Sequence, residues 1–322
     1  MKRLFSALWS VALLTACGAG PTQQTEESWV APVPRPLPHG AVLDEPGVES
    51  RTMSREFLGS YRPDGRTPAE RVPHILARGR IIVGVDQSQY LLSFRDPSSG
   101  ELRGFEVELA REIAQDIFGD PNRVEFRFVD STDRVRALES EQVDIVVQAM
   151  TITRTRQDQV AFSTPYFTAQ TRILTLVNAQ VYSTKDLVGK TVCVTDQSTG
   201  LDTARREAPE SHILKVRNWS DCLVALQQNQ AVAVISDDAI LSGLAAQDPY
   251  TRILDDVLGE ETFGVALAKP GTRHDTLGLI RQVNSTIERI QEDNTWWAMY
   301  HRWLEQYQTT PGPPPTKYRE ER

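Results

Sequence analysis

The sequence predicts an α/β fold of two lobes, each built on a parallel-rich sheet, with two strands crossing between them. Three observations carry this. Short β-branched runs alternate with amphipathic helical stretches, the pattern of parallel sheets. The alternation occurs twice, and the second set is inserted in the first. Residues 72–307 are enough for two lobes of ordinary size, and 40% hydrophobic with 24% charged residues is a globular composition.

The elements follow in order. Residues 80–85 (RIIVGV) read as a strand. Over 105–118, Phe105, Leu109, Ile113 and Ile117 recur every four residues, which predicts an amphipathic helix. A strand is expected over 124–129, then a helix over 131–142 with Ser131 or Thr132 as its N-cap. Residues 144–150 hold the apolar run Ile145-Val146-Val147, a strand buried on both faces. A strand over 172–177 completes the first set. The second set has strands at 191–195, 213–216 and 231–236, with helices at 202–208 and 221–228. A strand over 263–268 leads back, and one or two helices fill 275–306. The crossings are expected near 174–181 and 262–269.

The flanks differ in kind. Met1-Lys2-Arg3 is basic, and 4–14 is a mainly apolar stretch too short to span a bilayer as a helix. It closes on Leu14-Thr15-Ala16-Cys17, which resembles a lipobox, so 1–16 is expected to be a signal peptide and Cys17 an acylated residue. Several acyl chains anchor stably where one does not. The alternative is an ordinary signal peptide with an incidental cysteine. Residues 17–71, with APVPRPLPHG, read as a tether; Phe57, Leu58 and Tyr61 are apolar enough to pack on the domain. The tail 308–322, TTPGPPPTKYREER and its neighbours, is expected to be flexible.

Charge and composition narrow the partners. With 35 Lys and Arg against 43 Asp and Glu, the formal charge is −8, which argues against nucleic acid. The five histidines show no ligand spacing and there is no CxxC, so neither a metal nor a cofactor is expected. With Cys17 set aside, Cys193 and Cys222 are an even pair, which outside the membrane usually forms a disulfide; two separate buried thiols are the other reading. A monomer is expected.

Ligands in open α/β sheets sit beyond the carboxyl ends of the strands. The run ending at Val147 delivers Thr151 and, five residues on, Arg156 to that position. A guanidinium is a permanently charged planar fork that suits a carboxylate or phosphate. A surface loop with two arginines is the plain alternative.

Five motifs in order resemble the family 3 bacterial solute-binding proteins, the extracytoplasmic amino-acid receptors of ABC importers. They are GFEVEL at 104–109, MTITRTR with AFSTPYF at 150–167, LVGK leading into VCVTDQSTG at 187–200, AVISDD at 233–238, and Thr295-Trp296 with Tyr300 and Trp303. Together they span about 72–307. The resemblance implies a periplasmic-binding-protein-like fold of two Rossmann-like lobes with a two-strand hinge. Lobe 1 is expected at 72–178 and 266–307, lobe 2 at 179–265.

The resemblance also implies roles. Arg156 would fork an α-carboxylate, with Thr151 and the N–H of Thr199, in Ser198-Thr199-Gly200, completing it. Asp237 would meet the ammonium with the Ala149 carbonyl and the Thr151 hydroxyl; a helix-capping acid is its other reading, with Asp238 the expected cap. Arg134, beside Ser131, would read a side-chain carboxylate, as in family members that take acidic amino acids. Gln87, Tyr90, Phe94 and Trp219, in loops that follow strands, are candidate pocket walls, with core packing the other reading of Phe94 and Trp219. The chain departs from the family pattern at Asp196-Gln197, where glycine and serine are commoner. The expected ligand is glutamate or aspartate, with asparagine and glutamine as weaker candidates. The expected partner is the permease of an ABC importer; the alternative is a membrane signalling protein that reads occupancy without transport. Dehydratases of small cyclic acids share the fold, but no His or Glu stands in a matched motif, so no enzyme activity is expected.

Overall fold

The computed structural model describes residues 35–50 and 54–321. The expected signal peptide and, from the expected tether, residues 17–34 (Cys17 among them) and 51–53 lie outside these residues. The chain builds two main sheets. The first has five strands in the order Val124–Phe128, Ile81–Val85, Ile145–Val146, Ala266–Leu267, Ala161–Phe162. Its first three strands are parallel and its last two join antiparallel. Every residue of Ile81–Val85 is buried, as a central parallel strand covered on both faces requires.

The second sheet runs Val42–Asp44, His212–Val216, Thr191–Thr195, Ala233–Asp237, Phe167–Leu176, Thr251–Ile253, and Gly259–Phe263 also pairs with Phe167–Leu176. Its core is parallel, from His212–Val216 through Thr191–Thr195 to Ala233–Asp237. The strand–helix alternation expected from the sequence is thus present in both halves. Phe105–Phe118 is a 14-residue helix whose buried face holds Phe105, Leu109, Ile113 and Ile117. It starts at Gly104, whose φ of 126° and contact with the Leu92 carbonyl oxygen, 2.2 Å from where a Cβ would stand, admit no side chain.

Several expected boundaries move. Phe167–Leu176 pairs with Ala233–Asp237 and Gly259–Phe263, so it belongs to the second sheet. The chain first leaves the first sheet after Phe162, about ten residues before the crossing expected at 174–181, and returns between Phe263 and Ala266. The strand looked like lobe 1 because its apolar alternation carries no mark of which sheet it serves. The helix expected over 131–142 is Arg134–Glu139, with Asp133 rather than Ser131 or Thr132 in the N-cap position. The helix expected over 202–208 begins earlier, at Thr199. A ten-residue helix, Asp238–Gln247, follows the Ala233–Asp237 strand.

The flanks pack more than the sequence suggested. Val42–Asp44 adds an antiparallel edge strand beside His212–Val216. Phe57 is buried among Ile82, Met150, Ile152 and Phe162, Tyr61 packs on the main core, and Leu58 stays exposed. The expected flexible tail is docked: Ser60 and Tyr318 form a parallel bridge, and the Tyr318 hydroxyl donates to Glu288. Cys193 and Cys222 are bonded, tying the Thr191–Thr195 strand to the helix Trp219–Gln227, with Cα atoms 5.5 Å apart.

Candidate functional site

The carboxyl ends of the central strands of both sheets converge on one polar cleft. From the first-sheet side come Gln89, Ser131, Arg134, Gln148, Ala149, Thr151 and Arg156. From the second come Ser198, Thr199, Gly200, Trp219, Ser236, Asp237 and Ile240. Eight of the ten ligand-binding residues expected from the sequence are therefore brought together.

Arg156 lies in the short helix Arg154–Gln159, capped by the Thr153 hydroxyl. Its Nη1 donates to the Thr151 carbonyl at 2.8 Å and its Nη2 to the Gln197 carbonyl at 3.1 Å. Burial lowers its pKa, and the nearby carboxylates of Glu261 and Asp202 oppose that. Gln197 has φ 56°, the left-handed conformation glycine takes without strain. That gives the departure at Asp196-Gln197 its place: a backbone carbonyl turned onto the cleft arginine.

The Thr199–Glu207 helix points its N-terminus at the same place. Ser198 caps it, accepting from the Leu201 N–H, and the first N–H groups lack intrahelical partners and favour an anion. Gly200 is needed there, since a Cβ would stand 2.7 Å from the Ile235 carbonyl oxygen. The Thr151 and Thr199 hydroxyls meet at 3.4 Å across the cleft.

Arg134 is 7% exposed. It donates to the Ser131 carbonyl from Nε at 2.9 Å and to the Gln148 carbonyl from Nη1 at 3.3 Å. Burial, with repulsion from Arg156, lowers it to about 9, so it stays charged at neutral pH. Asp237 is 8% exposed and its pKa is pushed well above the carboxylate range by burial. It also caps the Asp238–Gln247 helix by accepting from the Ile240 N–H at 2.9 Å. The capping expected of Asp238 therefore falls to Asp237, one residue earlier; Asp238 instead accepts from the Gln170 N–H.

Gln87 and Tyr90 stand outside the cleft. Gln87 is exposed and its side chain accepts from Arg95. Tyr90 and Phe94 pack on each other, their rings 4.6 Å apart, with Trp303 beyond. The turn after Ile81–Val85 presents Gln89 to the cleft, two residues on from Gln87: Gln89 is buried in the Ser88–Gln89 strand, whereas Gln87 lies exposed in the turn ahead of it.

Two further groups escaped sequence reasoning. Gln148 is buried, with its amide N–H on the Val129 carbonyl and its oxygen unpaired; the Gln89 side-chain oxygen is likewise buried and unpaired. Glu106 is fully buried behind the cleft, accepting from the Ala149 N–H at 2.6 Å and from the Tyr166 hydroxyl. Ala149 has φ 41°, and this bond holds it there. Burial raises Glu106 to about 7. The signal for both was present: a glutamine interrupting the run Ile145-Val146-Val147, and an acid between Phe105 and Val107 on the first turn of a buried helix.

The cavity enclosed by the set measures about 20 Å³, room for about one water. Two arginines, a helix N-terminus and one buried aspartate define a site for a small solute that carries both negative and positive groups.

Comparison with known proteins gives the family. Residues 81–306 match the family model of the bacterial extracellular solute-binding proteins, family 3, and the chain belongs to that family. It is 34% identical over 222 residues to the glutamine-binding protein of Geobacillus stearothermophilus, covering 69% of this chain and 84% of that one. It is 29% identical to the ABC transporter glutamine-binding protein GlnH of Bacillus subtilis (strain 168), covering 95% of this chain and 98% of the relative. Among solved structures, an ancestral arginine-binding protein bound to glutamine superposes with a TM-score of 0.64 at 31% identity, covering 70% of this chain and 98% of that chain.

Proposed function

We propose that this protein is an extracytoplasmic receptor that closes its cleft on an acidic amino acid, L-glutamate or L-aspartate, and hands it to the permease of an ABC importer. The observation that carries the ligand class is the pair of arginines opposite one aspartate. An acidic amino acid has two carboxylates and one ammonium; Arg156, Arg134 and Asp237 are the matching set. In this reading Arg156, Thr151 and the N-terminus of the Thr199–Glu207 helix take the α-carboxylate. Asp237 and the Ala149 carbonyl take the ammonium, whose positive charge favours the carboxylate form that burial disfavours. Arg134, beside Ser131, takes the side-chain carboxylate.

A second reading has specific support. The buried, unpaired side-chain oxygens of Gln89 and Gln148 suit the NH₂ of a side-chain amide, and two relatives are glutamine-binding proteins. Calorimetry separates the two. Arg156→Ala should abolish binding of every amino acid. Arg134→Ala should weaken glutamate and aspartate by about 30-fold or more, the usual cost of stranding a buried charge, and their amides far less. Equal weakening of glutamate and glutamine would remove Arg134 as the side-chain reader. The membrane link in this reading is a lipid on Cys17: Cys17→Ser should move the protein from the membrane fraction to the soluble one, and continued membrane retention would sink that assignment.

A further inference from the structure

The segment ahead of the two lobes reaches the charges of the cleft. Glu261, in the returning strand Gly259–Phe263, is 1% exposed. One carboxylate oxygen accepts from the Thr171 hydroxyl at 3.0 Å; the other has no partner. Its counter-charge is Arg55, whose Nη2 lies 2.6 Å from the paired oxygen. Arg55 comes from neither lobe. Its neighbours fasten the segment to the first-sheet side: the Ser54 carbonyl accepts from the Arg154 N–H, Gln157 donates to the Glu56 carbonyl and accepts from the Leu58 N–H, and Phe57 is buried. Gly259 lets the guanidinium lie over the strand, 3.3 Å from where a Cβ would stand.

Glu261 is placed to be felt in the cleft. Thr171, which holds its carboxylate, is the cross-strand partner of Asp237. Ala233–Asp237, Phe167–Leu176 and Gly259–Phe263 are adjacent strands, so two strand spacings, roughly 10 Å, separate the outer two. Glu261 acts electrostatically on both Arg156 and Asp237. Left alone, a buried anion there repels an incoming anionic solute and draws on the same guanidinium that the α-carboxylate needs.

We propose that Arg55 is a positioning residue of the cleft: by neutralising Glu261 it sets the field that the solute meets, so the N-terminal segment, with the two lobes, fixes affinity for an anionic amino acid. This rests on the amino-acid reading above and deepens it.

The test is a charge cycle measured by calorimetry on the full chain, with L-glutamate and L-glutamine as probes. Arg55→Met should weaken glutamate by about tenfold, the size of one unscreened charge at this separation, and neutral glutamine less. Arg55→Lys should keep most of the affinity, and Arg55→Met with Glu261→Gln should recover it to within about threefold of wild type. Arg55→Met binding glutamate as wild type does overturns the inference. So does a loss that Glu261→Gln fails to recover, which would place the effect in packing. A wild type that binds neither probe sinks the proposed function and this inference with it, whereas a binding wild type with unaltered variants sinks this inference alone.

Discussion

Glu106 shows how one residue ties the core to the cleft. Its carboxylate fixes the N–H of Ala149, whose carbonyl is proposed to face the ligand ammonium. Burial raises its pKa from a usual value near 4.5 to about 7. Below pH 4.5 the folded and unfolded chains both hold the proton. Between 4.5 and 7 the folded chain keeps a proton that the unfolded chain has lost, so stability falls as pH rises. Above 7 the full penalty stands, about 3 kcal/mol for a shift of this size. Asp86 and Asp237, also raised by burial, add slopes of the same sign. Glu106→Gln should flatten the fall in stability between pH 4.5 and 7, measured by denaturant unfolding of ligand-free protein. An unchanged slope would mean that Glu106 is not the group that titrates.

At the scale of elements, what could be read from the sequence depended on whether the signal was local. The Phe105–Phe118 helix and the Ile81–Val85 strand are legible because periodicity and β-branching report burial directly. The Asp238–Gln247 helix is not, since all of its first nine residues are apolar, small or acidic with no clear polar face, and seven of the helix's ten residues are buried. Partner choice is a second blind spot. Nothing within Phe167–Leu176 says that it pairs with Ala233–Asp237, and nothing within 308–321 says that Ser60 awaits it. The cleft residues were legible where a charge ends a strand, as with Asp237, or follows one in the next loop and helix, as with Arg156. Gln89 was missed in favour of Gln87 because the turn after Ile81–Val85 leaves Gln87 in solvent, and nothing local in the sequence marks that turn. The disulfide reading needed only cysteine parity; the bond closes a loop of 29 residues, worth about 3.5 kcal/mol in the chain-entropy model.

For the whole molecule, polar contacts cross between the two sheets over the cleft. The Thr151 and Thr199 hydroxyls touch, Arg156 holds the Gln197 carbonyl, and Arg217 pairs with Asp130 at 2.7 Å. A cavity of about 20 Å³ admits an amino acid only when these contacts part, and two crossing strands are the geometry of a hinge. Small-angle scattering should therefore report an equilibrium between a wider and a more compact form, shifted toward the compact one by saturating ligand. Identical profiles with and without a ligand shown to bind would rule out that motion.

The docking of the tail against Gly59 and Ser60 bears on how the chain reaches its final state. Arg319 donates to the Gly59 carbonyl across 260 residues of sequence; the Ser60 N–H donates to the Lys317 carbonyl and the Arg319 N–H to the Ser60 carbonyl. Loops of that length close late, because their entropy must be lost before their contacts repay it. The lobes, whose strands pair over shorter spans, are expected to gather first and the two ends to be stitched last. In pulse-labelled hydrogen exchange during refolding, the Ser60 and Arg319 amides should gain protection after those of Ile81–Val85 and Thr191–Thr195; simultaneous protection would contradict this order. Anything that keeps residues 317–319 from reaching Ser60 would then hold the molecule one step short of completion.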